Sequence, residues 1–216
     1  MERRTVHLFV LDTLADWETG FAIAGINNPE YQKNPGAYGV KTVGATRDPV
    51  RTMGGVTIVP EMAADELKPE ESAMLIVPGG AVWDQGGDPV AMETAKRFLD
   101  AGVPVAAICG ATGGLARAGV LAGRRHTSNA REYLAYYAPE YGGEALYSDE
   151  PAVLDGDLIT AGGVFPVDFA RMIFERLGLY DPAVLDAWYR LYKHGDAAGF
   201  HALAAMMDGQ AAEGAP

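Results

Sequence analysis

Cys109 is the one thiol of this 216-residue chain, and the residues around it could support nucleophilic chemistry. An apolar run, 105–108, ends directly before it, and Gly110 and Ala111 follow it. Small residues on both sides of a nucleophile suit a sharp, strained turn from a strand into a helix. The sulfur would then lie at a helix N-terminus, whose partial positive charge favours the thiolate. A lone cysteine can equally be inert and buried, and this segment alone leaves both interpretations open.

Alternating strand and helix patterns surround this turn and predict the elements that position it. Short apolar runs predict strands over residues 6–11, 40–45, 56–59, 74–77, 103–108, 145–147, 153–154 and 158–160, with an extended segment over 124–128. Helical spacing predicts helices over 89–99, from 110 to about 121, after Asn129 as N-cap, and from Pro166 to just before Gly178. Runs such as 74–77, apolar throughout, suit strands buried on both faces. The order predicts an α/β domain with a mostly parallel sheet and helices on both faces.

The chain divides into three predicted segments. Residues 1–180 form the α/β domain, and residues 181–208 form a helical addition that contains Trp188, Tyr189 and Tyr192. Residues 209–216 are small and polar, which predicts a disordered tail. The aromatic side chains of the addition need a surface to cover, and either the chain's own domain or a second copy could supply it.

The composition indicates a globular protein with an acidic surface. The chain is 49% hydrophobic and 21% charged, with a formal net charge of −12. Nucleic acid and anionic membranes are therefore not expected as partners, because neutralising phosphate requires a basic surface. No apolar run approaches the roughly 20 residues of a membrane helix, and the N-terminus does not resemble a signal peptide. One cysteine allows no internal disulfide, so we expect a reducing, cytoplasmic location.

No metal or cofactor is expected from the sequence. His194 and His201 are seven residues apart, which is two helical turns, but no further ligand accompanies them.

Motifs between about Thr5 and Leu179 resemble those of the PfpI/DJ-one family, within the superfamily of class I glutamine amidotransferase-like proteins. The motifs are Asp16-Trp17-Glu18, Pro78-Gly79-Gly80, the Ala107-Ile108-Cys109 elbow with residues 115–121 behind it, and residues 155–160. Together they are specific, whereas each alone would be weak. The resemblance implies a flavodoxin-like three-layer sandwich and a homodimer.

The resemblance also assigns roles to individual residues. It implies that Cys109 is the nucleophile or redox centre and that Glu18 hydrogen-bonds its sulfur, where a protonated carboxyl could stabilise a thiolate. The backbone N–H groups of Gly80 and Gly110 would form an oxyanion hole. The alternative for Glu18 is an exposed carboxylate on the first helix, and glycines also simply make turns.

Three positions depart from the family pattern or extend it. Hydrolytic members carry a histidine directly after the cysteine, where this chain has Gly110. DJ-one-like members place a histidine where Asn129 lies, which makes Asn129 a candidate accessory residue. His126 is three residues from Asn129, and strand alternation points it to the opposite face, so we predict a structural role for it. Asp84 lies where some members place an acidic residue of an interfacial triad, although a solvated loop carboxylate is the simpler expectation.

Two functions of different classes follow from these residues. The first is a cysteine-dependent hydrolase, deglycase or glyoxalase-type enzyme acting on a small carbonyl or amide substrate. The second is a non-catalytic oxidative-stress sensor or chaperone that uses oxidation of Cys109, which the missing histidine favours. A glutamine amidotransferase subunit is the weakest alternative, because the later His-x-Glu pair of that class is absent.

Overall fold

The computed structural model describes residues 3–213, and its centre is a seven-stranded sheet. The nine strands among these described residues are β1 (Arg4–Phe9), β2 (Tyr38–Gly44), β3 (Val50–Arg51), β4 (Thr57–Ile58), β5 (Met62–Ala63), β6 (Ser72–Val77), β7 (Val105–Ile108), β8 (Ala152–Asp155) and β9 (Leu158–Ala161). The sheet order is β5-β2-β1-β6-β7-β9-β8, and every pairing is parallel except that of β8 with β9. Strands β3 and β4 form a separate antiparallel pair.

Helices surround this sheet, which confirms the predicted flavodoxin-like α/β fold. They are α1 (Asp16–Asn27), α2 (Pro89–Asp100), α3 (Gly110–Arg117), α4 (Arg131–Tyr137), α5 (Pro166–Leu177), α6 (Pro182–His194) and α7 (Ala197–Glu213). Helix α1 packs against α5, α5 against α6, and α2 against β6 and β7. Asp88 caps α2 by accepting the N–H of Ala91, and the left-handed Gly178 ends α5.

The core lies along the inner strands. Met74, Leu75, Ile76 and Val77 are fully buried in β6, and all four residues of β7 are fully buried. A parallel strand covered on both faces needs such unbroken apolar sequence. The carboxyl ends of β1, β6 and β7 meet at one edge of the sheet, and Cys109 directly follows β7.

Three local predictions were wrong. Residues 145–147 are not a strand, because Glu144–Leu146 forms a 3-10 turn. The segment 124–128, predicted as extended, belongs to none of the named strands and makes one isolated parallel bridge, from His126 to Tyr147. Helix α3 ends at Arg117, not near residue 121. Asn129 does not cap α4, since the N-cap is Ala130 and no side chain bonds there.

The C-terminal helices pack on the chain's own domain. The Trp188 ring of α6 lies edge-to-face against Phe21 and Phe174, with ring centroids 6.3 Å and 5.0 Å apart. Helix α7 packs on α6 and continues to Glu213, so the backbone of residues 209–213 is helical where a disordered tail was predicted. Residues 214–216 of that predicted tail lie outside the described residues, and the domain boundary at residue 180 stays a prediction.

None of the helices described between residues 3 and 213 is long and apolar enough to cross a membrane.

Candidate active site

Cys109 lies at the sharp turn between β7 and α3, as the small neighbouring residues predicted. Its backbone has φ 59° and ψ −127°, a conformation that side-chain-bearing residues rarely adopt. Three hydrogen bonds hold it there. The Cys109 N–H donates to the Ala161 carbonyl over 2.9 Å, and the Cys109 carbonyl accepts from the Thr112 hydroxyl over 2.6 Å and from the Thr112 N–H over 3.1 Å. These bonds maintain the strained backbone and so hold the sulfur at the edge of the sheet.

Two glycines make room for this sulfur. A Cβ at Gly79 would lie 2.6 Å from Cβ of Cys109, and one at Gly163 would lie 2.7 Å from its Sγ. Both hypothetical carbons would also come within 3.1 Å of the Glu18 carboxyl. Only side-chain-free backbone therefore fits on either side of the cysteine and the glutamate.

Glu18 is completely buried beside Cys109 and is not the exposed carboxylate considered as an alternative. Its Oε2 accepts the N–H of Gly79 over 2.6 Å. Its Oε1 is also buried and has no hydrogen-bond partner among residues 3–213, while the Cys109 thiol lies close enough to the carboxyl to affect its pKa. The carboxyl and the thiol are thus neighbours between which a proton can pass.

Burial shifts the pKa values of both groups upward. The pKa of Glu18 rises to about 7 because burial penalises its charge, against the lowering effect of hydrogen bonds from Cys109 and Gly79. The pKa of Cys109 rises to about 12 because of burial and the negative charge of Glu18, although donors from Asn129 and Gly110 lower it. The helix N-terminus was expected to favour the thiolate, and burial with Glu18 outweighs it. Between these pH values the pair shares one proton.

Asn129 holds the sulfur from the exposed side. Its Nδ2 donates to Sγ of Cys109 over 3.4 Å, and its Oδ1 accepts the N–H of Gly163 over 2.8 Å. Thus Asn129 belongs to the site and bridges the turn after β9 to the cysteine.

A small cavity of about 160 Å³ opens onto the sulfur, and both predicted oxyanion-hole glycines line it. Within the described part of the chain, the N–H groups of Gly80 and Gly110 have no backbone or side-chain oxygen as acceptor. A Cβ at Gly80 would lie 2.7 Å from the Thr13 carbonyl oxygen, and one at Gly110 would lie 2.7 Å from Trp83 Cβ. Both positions therefore require glycine.

Asp84 and Tyr133 form part of the wall of the same cavity. Asp84 is exposed, and it accepts a hydrogen bond from the Tyr133 hydroxyl over 3.1 Å. Burial and the negative charge of Asp84 raise the pKa of Tyr133, which keeps the phenol protonated. Asp84 is therefore part of the site's wall as well as solvent-exposed.

His126 is remote from the sulfur. Its ring is fully buried, with Nδ1 2.6 Å from the Arg124 carbonyl oxygen and Nε2 bonded to the Tyr141 hydroxyl. Burial lowers its pKa, which keeps the ring neutral. This placement agrees with the structural role predicted for it. No histidine is among the described residues that line the Cys109 cavity.

Trp17 is a further site residue that sequence reasoning missed. Its Nε1 donates to the Gly163 carbonyl over 3.0 Å, and its ring lines the cavity, as does Met53. The position of Trp17 immediately before Glu18, in a family motif, was the available signal.

Within residues 3–213, no group of three or more His, Cys, Asp or Glu side chains is arranged to bind a metal ion. His194 and His201 accordingly stay without the further ligands that a metal would need.

The sheet is flavodoxin-like, a cysteine lies at the turn after an inner strand, and a buried glutamate lies against its sulfur. Together these features define a class of α/β proteins. The chain belongs to the DJ-1/PfpI family, whose sequence model matches residues 4–176.

Three comparisons show the extent of the similarity. The chain is 40% identical over 197 residues to the uncharacterized protease YoaZ of Bacillus subtilis, covering 89% of this chain and 92% of that protein. It is 39% identical to the thiJ/pfpI family protein from Bacillus anthracis, whose crystal structure matches with a TM-score of 0.87 over 94% of this chain and 96% of that one. The deglycase PfpI of Pyrococcus furiosus is 30% identical over 108 residues, or 50% of this chain and 63% of that protein.

Proposed function

We propose that this protein is a cysteine-dependent enzyme of the hydrolase, deglycase or glyoxalase type, acting on small carbonyl compounds or amides. The observation that carries the proposal is the placement of Cys109 and the buried Glu18 side by side at a cavity of about 160 Å³. So small a cavity admits a reactive group of a few heavy atoms. Relatives named protease and deglycase support bond cleavage by water.

The first step is addition of sulfur to the substrate's carbonyl carbon. A sulfur–carbon bond forms while the carbon–oxygen π bond breaks, and its electron pair moves to the oxygen. The N–H groups of Gly80 and Gly110 stabilise that negative oxygen. The S–H bond of Cys109 breaks as the sulfur adds, and its proton passes to the Glu18 carboxylate, which can then deliver it to the adduct.

For an amide, the adduct then collapses. The carbon–nitrogen bond breaks, the amine leaves with the proton from Glu18, and a thioester to Cys109 remains. Water adds to the thioester carbon and Glu18 accepts a proton from that water. The carbon–sulfur bond then breaks, the acid leaves, and the proton on Glu18 returns to the sulfur of Cys109. No electrons are gained or lost overall, so no redox cofactor is needed.

Turnover of methylglyoxal and of model amides by wild type and Cys109→Ala tests the proposal. We expect turnover by wild type and none above background by Cys109→Ala. Gly123→Ala is the matched control, because a Cβ at Gly123 meets no atom within 4 Å. Equal rates for wild type and Cys109→Ala on every substrate would contradict the proposal.

A second candidate is an oxidation sensor, which the absence of an imidazole among the residues lining the cavity favours. Two equivalents of hydrogen peroxide would oxidise the thiol to sulfinic acid and be reduced to water. Asn129 Nδ2 and a protonated Glu18 are placed to donate to the new oxygens. A single two-oxygen adduct by intact mass, without turnover, would favour this candidate over the enzyme. Peroxide treatment that adds no oxygen to Cys109 would exclude it.

We also propose, from the family resemblance, that the protein is a homodimer, and, from its single free cysteine, that it works in a reducing compartment such as the cytoplasm. Sedimentation or light scattering at micromolar concentration tests the first point, and a monomer mass would contradict it.

A further inference from the structure

A second and larger cavity lies between helices α1 and α6. Its volume is about 510 Å³, within the range of small-molecule sites. Six aromatic residues line it: Trp17, Phe21, Tyr31, Tyr180, Trp188 and Tyr192. The chemistry proposed for Cys109 does not use this cavity.

The charges around this aromatic cavity are negative. Glu30 is the one charged residue among its described lining residues. Asn28 fixes the Glu30 segment, because its Nδ2 donates to Glu30 Oε2 and its Oδ1 accepts the Glu30 N–H, both over 3.2 Å. The cavity also reaches Gly25, in the last turn of α1, where the carbonyl end of the helix adds partial negative charge.

Two tyrosines of the cavity, Tyr31 and Tyr180, have raised pKa values. The pKa of Tyr31 is raised by burial and by the charge of Glu30. The pKa of Tyr180 is raised to about 12 by burial and by its neighbours Tyr192, Glu30 and Tyr31. These two rings are therefore neutral at ordinary pH and present their negative faces or polarised hydroxyls, not phenolate charges.

We propose that this aromatic cavity binds a small organic cation, with a quaternary ammonium group as the model ligand. Aromatic rings attract such a cation through their quadrupoles, and Glu30 compensates its charge. Phosphate or carboxylate ligands would be repelled by Glu30 and would meet no basic side chain among the described lining residues. The proposal is independent of the reaction at Cys109.

Gly20 offers a way to fill the cavity without damaging the fold. It lies in α1 and lines the cavity, and a Cβ there would meet no atom within 4 Å. A leucine at this position occupies the cavity and favours the helix over glycine. Gly20→Ala adds one methyl group and is the matched control, since it gives the same helical benefit with far less volume.

Choline and its neutral isostere 3,3-dimethylbutan-1-ol are the probes, measured by calorimetry or tryptophan fluorescence. We expect choline to bind about tenfold or more tightly than the isostere, because the two have the same shape and differ in charge. Glu30→Gln should weaken choline about fivefold and leave the isostere unchanged, whereas Glu93→Gln, an exposed carboxyl on α2, should change neither. Gly20→Leu should abolish binding without lowering the melting temperature, and Gly20→Ala should retain it.

Three results would overturn the proposal. They are equal affinity for choline and the isostere, no measurable binding of choline by wild type, and choline binding that survives both Glu30→Gln and Gly20→Leu. Each can be distinguished from failure of the Cys109 chemistry, because choline binding is measured without any substrate.

Discussion

The side-chain amide of Asn129 donates a hydrogen bond to the sulfur of Cys109 over 3.4 Å. An amide can orient the sulfur and stabilise its negative charge, but it cannot take up the proton that the thiol releases. Glu18, on the other side of the sulfur, has a pKa of about 7 and can take it. In the proposed reaction, orienting the sulfur and accepting its proton would therefore fall to two residues, Asn129 and Glu18.

Replacing Asn129 should make the thiol less acidic. The Asn129 donor lowers the pKa of Cys109, so Asn129→Ala removes a stabilising bond of about 1 kcal/mol from the thiolate. At a fixed pH the thiolate fraction, and with it the iodoacetamide alkylation rate, should fall about fivefold. Asn34→Ala, at an exposed asparagine, is the control. An unchanged alkylation rate in Asn129→Ala would show that the hydrogen bond is not significant in solution.

Glu18 should make stability depend on pH. Burial raises its pKa from 4.5 to about 7, so the folded state holds this proton over a range where the unfolded chain releases it. The stabilisation is complete below pH 4.5 and is lost as pH rises through about 7. It amounts to about 3 kcal/mol. Glutamine cannot ionise, so the free energy of unfolding of Glu18→Gln should not show this loss. The difference in free energy of unfolding between Glu18→Gln and wild type should therefore grow by about 3 kcal/mol in favour of the variant as pH rises from 4 to 8.

Urea unfolding at a series of pH values measures this difference. Glu93→Gln serves as the control, and its free energy of unfolding should parallel that of wild type. A constant difference between Glu18→Gln and wild type at all pH values would mean that Glu18 titrates normally.

The backbone at Cys109 should prefer glycine over alanine. Its φ of 59° with ψ of −127° strains any residue that carries a Cβ by about 1–3 kcal/mol. Glycine raises the conformational entropy of the unfolded chain, which offsets part of the relieved strain. Cys109→Gly should still be about 1 kcal/mol more stable than Cys109→Ala. Glycine in place of alanine in the preceding strand, Ala107→Gly, should instead destabilise the protein by about 1 kcal/mol. A lower melting temperature for Cys109→Gly than for Cys109→Ala would argue against strain at the turn.

Elements with a strong local pattern were predictable from sequence. The unbroken apolar run in β6 and the amphipathic α5, with proline at its start and Gly178 after its end, match the structure closely. Glu144–Leu146 was not predictable, because its residues are exposed and no strand pairs with them beyond the bridge at Tyr147. Whether such a segment becomes a strand depends on pairing with other parts of the fold, which the local sequence does not encode.

The candidate site was predictable to the extent that its residues lie in family motifs. Cys109 and Glu18 came from those motifs, and the structure places them together. Asn129 had two interpretations, a helix cap, because asparagine before a helical pattern is the usual signal for one, and an accessory site residue, because family members carry a histidine there. The structure contradicts the cap and places Asn129 against the sulfur. Gly163 was missed because it reaches the sulfur only through the pairing of β7 with β9, two residues after β9 ends.

Gly163 should tolerate no side chain. A Cβ there would lie 2.7 Å from Sγ of Cys109, so Gly163→Ala must displace the sulfur or the turn that carries the Asn129 contact. We expect at least about a tenfold loss of turnover or of alkylation rate, equivalent to about 1.4 kcal/mol. Gly123→Ala, where a Cβ would meet open space, should leave both rates unchanged. Equal rates in the two variants would place the sulfur elsewhere.

His126 should contribute to stability and not to the chemistry of Cys109. Its ring is completely buried and bonds to the Tyr141 hydroxyl and the Arg124 carbonyl, so His126→Phe leaves the buried Tyr141 hydroxyl and the part-buried Arg124 carbonyl without this partner. The free energy of unfolding should fall by about 1–3 kcal/mol. Tyr141→Phe removes one of the same bonds, so the double variant should lose less than the sum of the single losses. The alkylation rate of Cys109, measured on folded protein, should match wild type in all three variants. A fall in that rate as large as the one expected for Asn129→Ala would make His126 a positioning residue of the site, acting through the segment that joins it to Asn129.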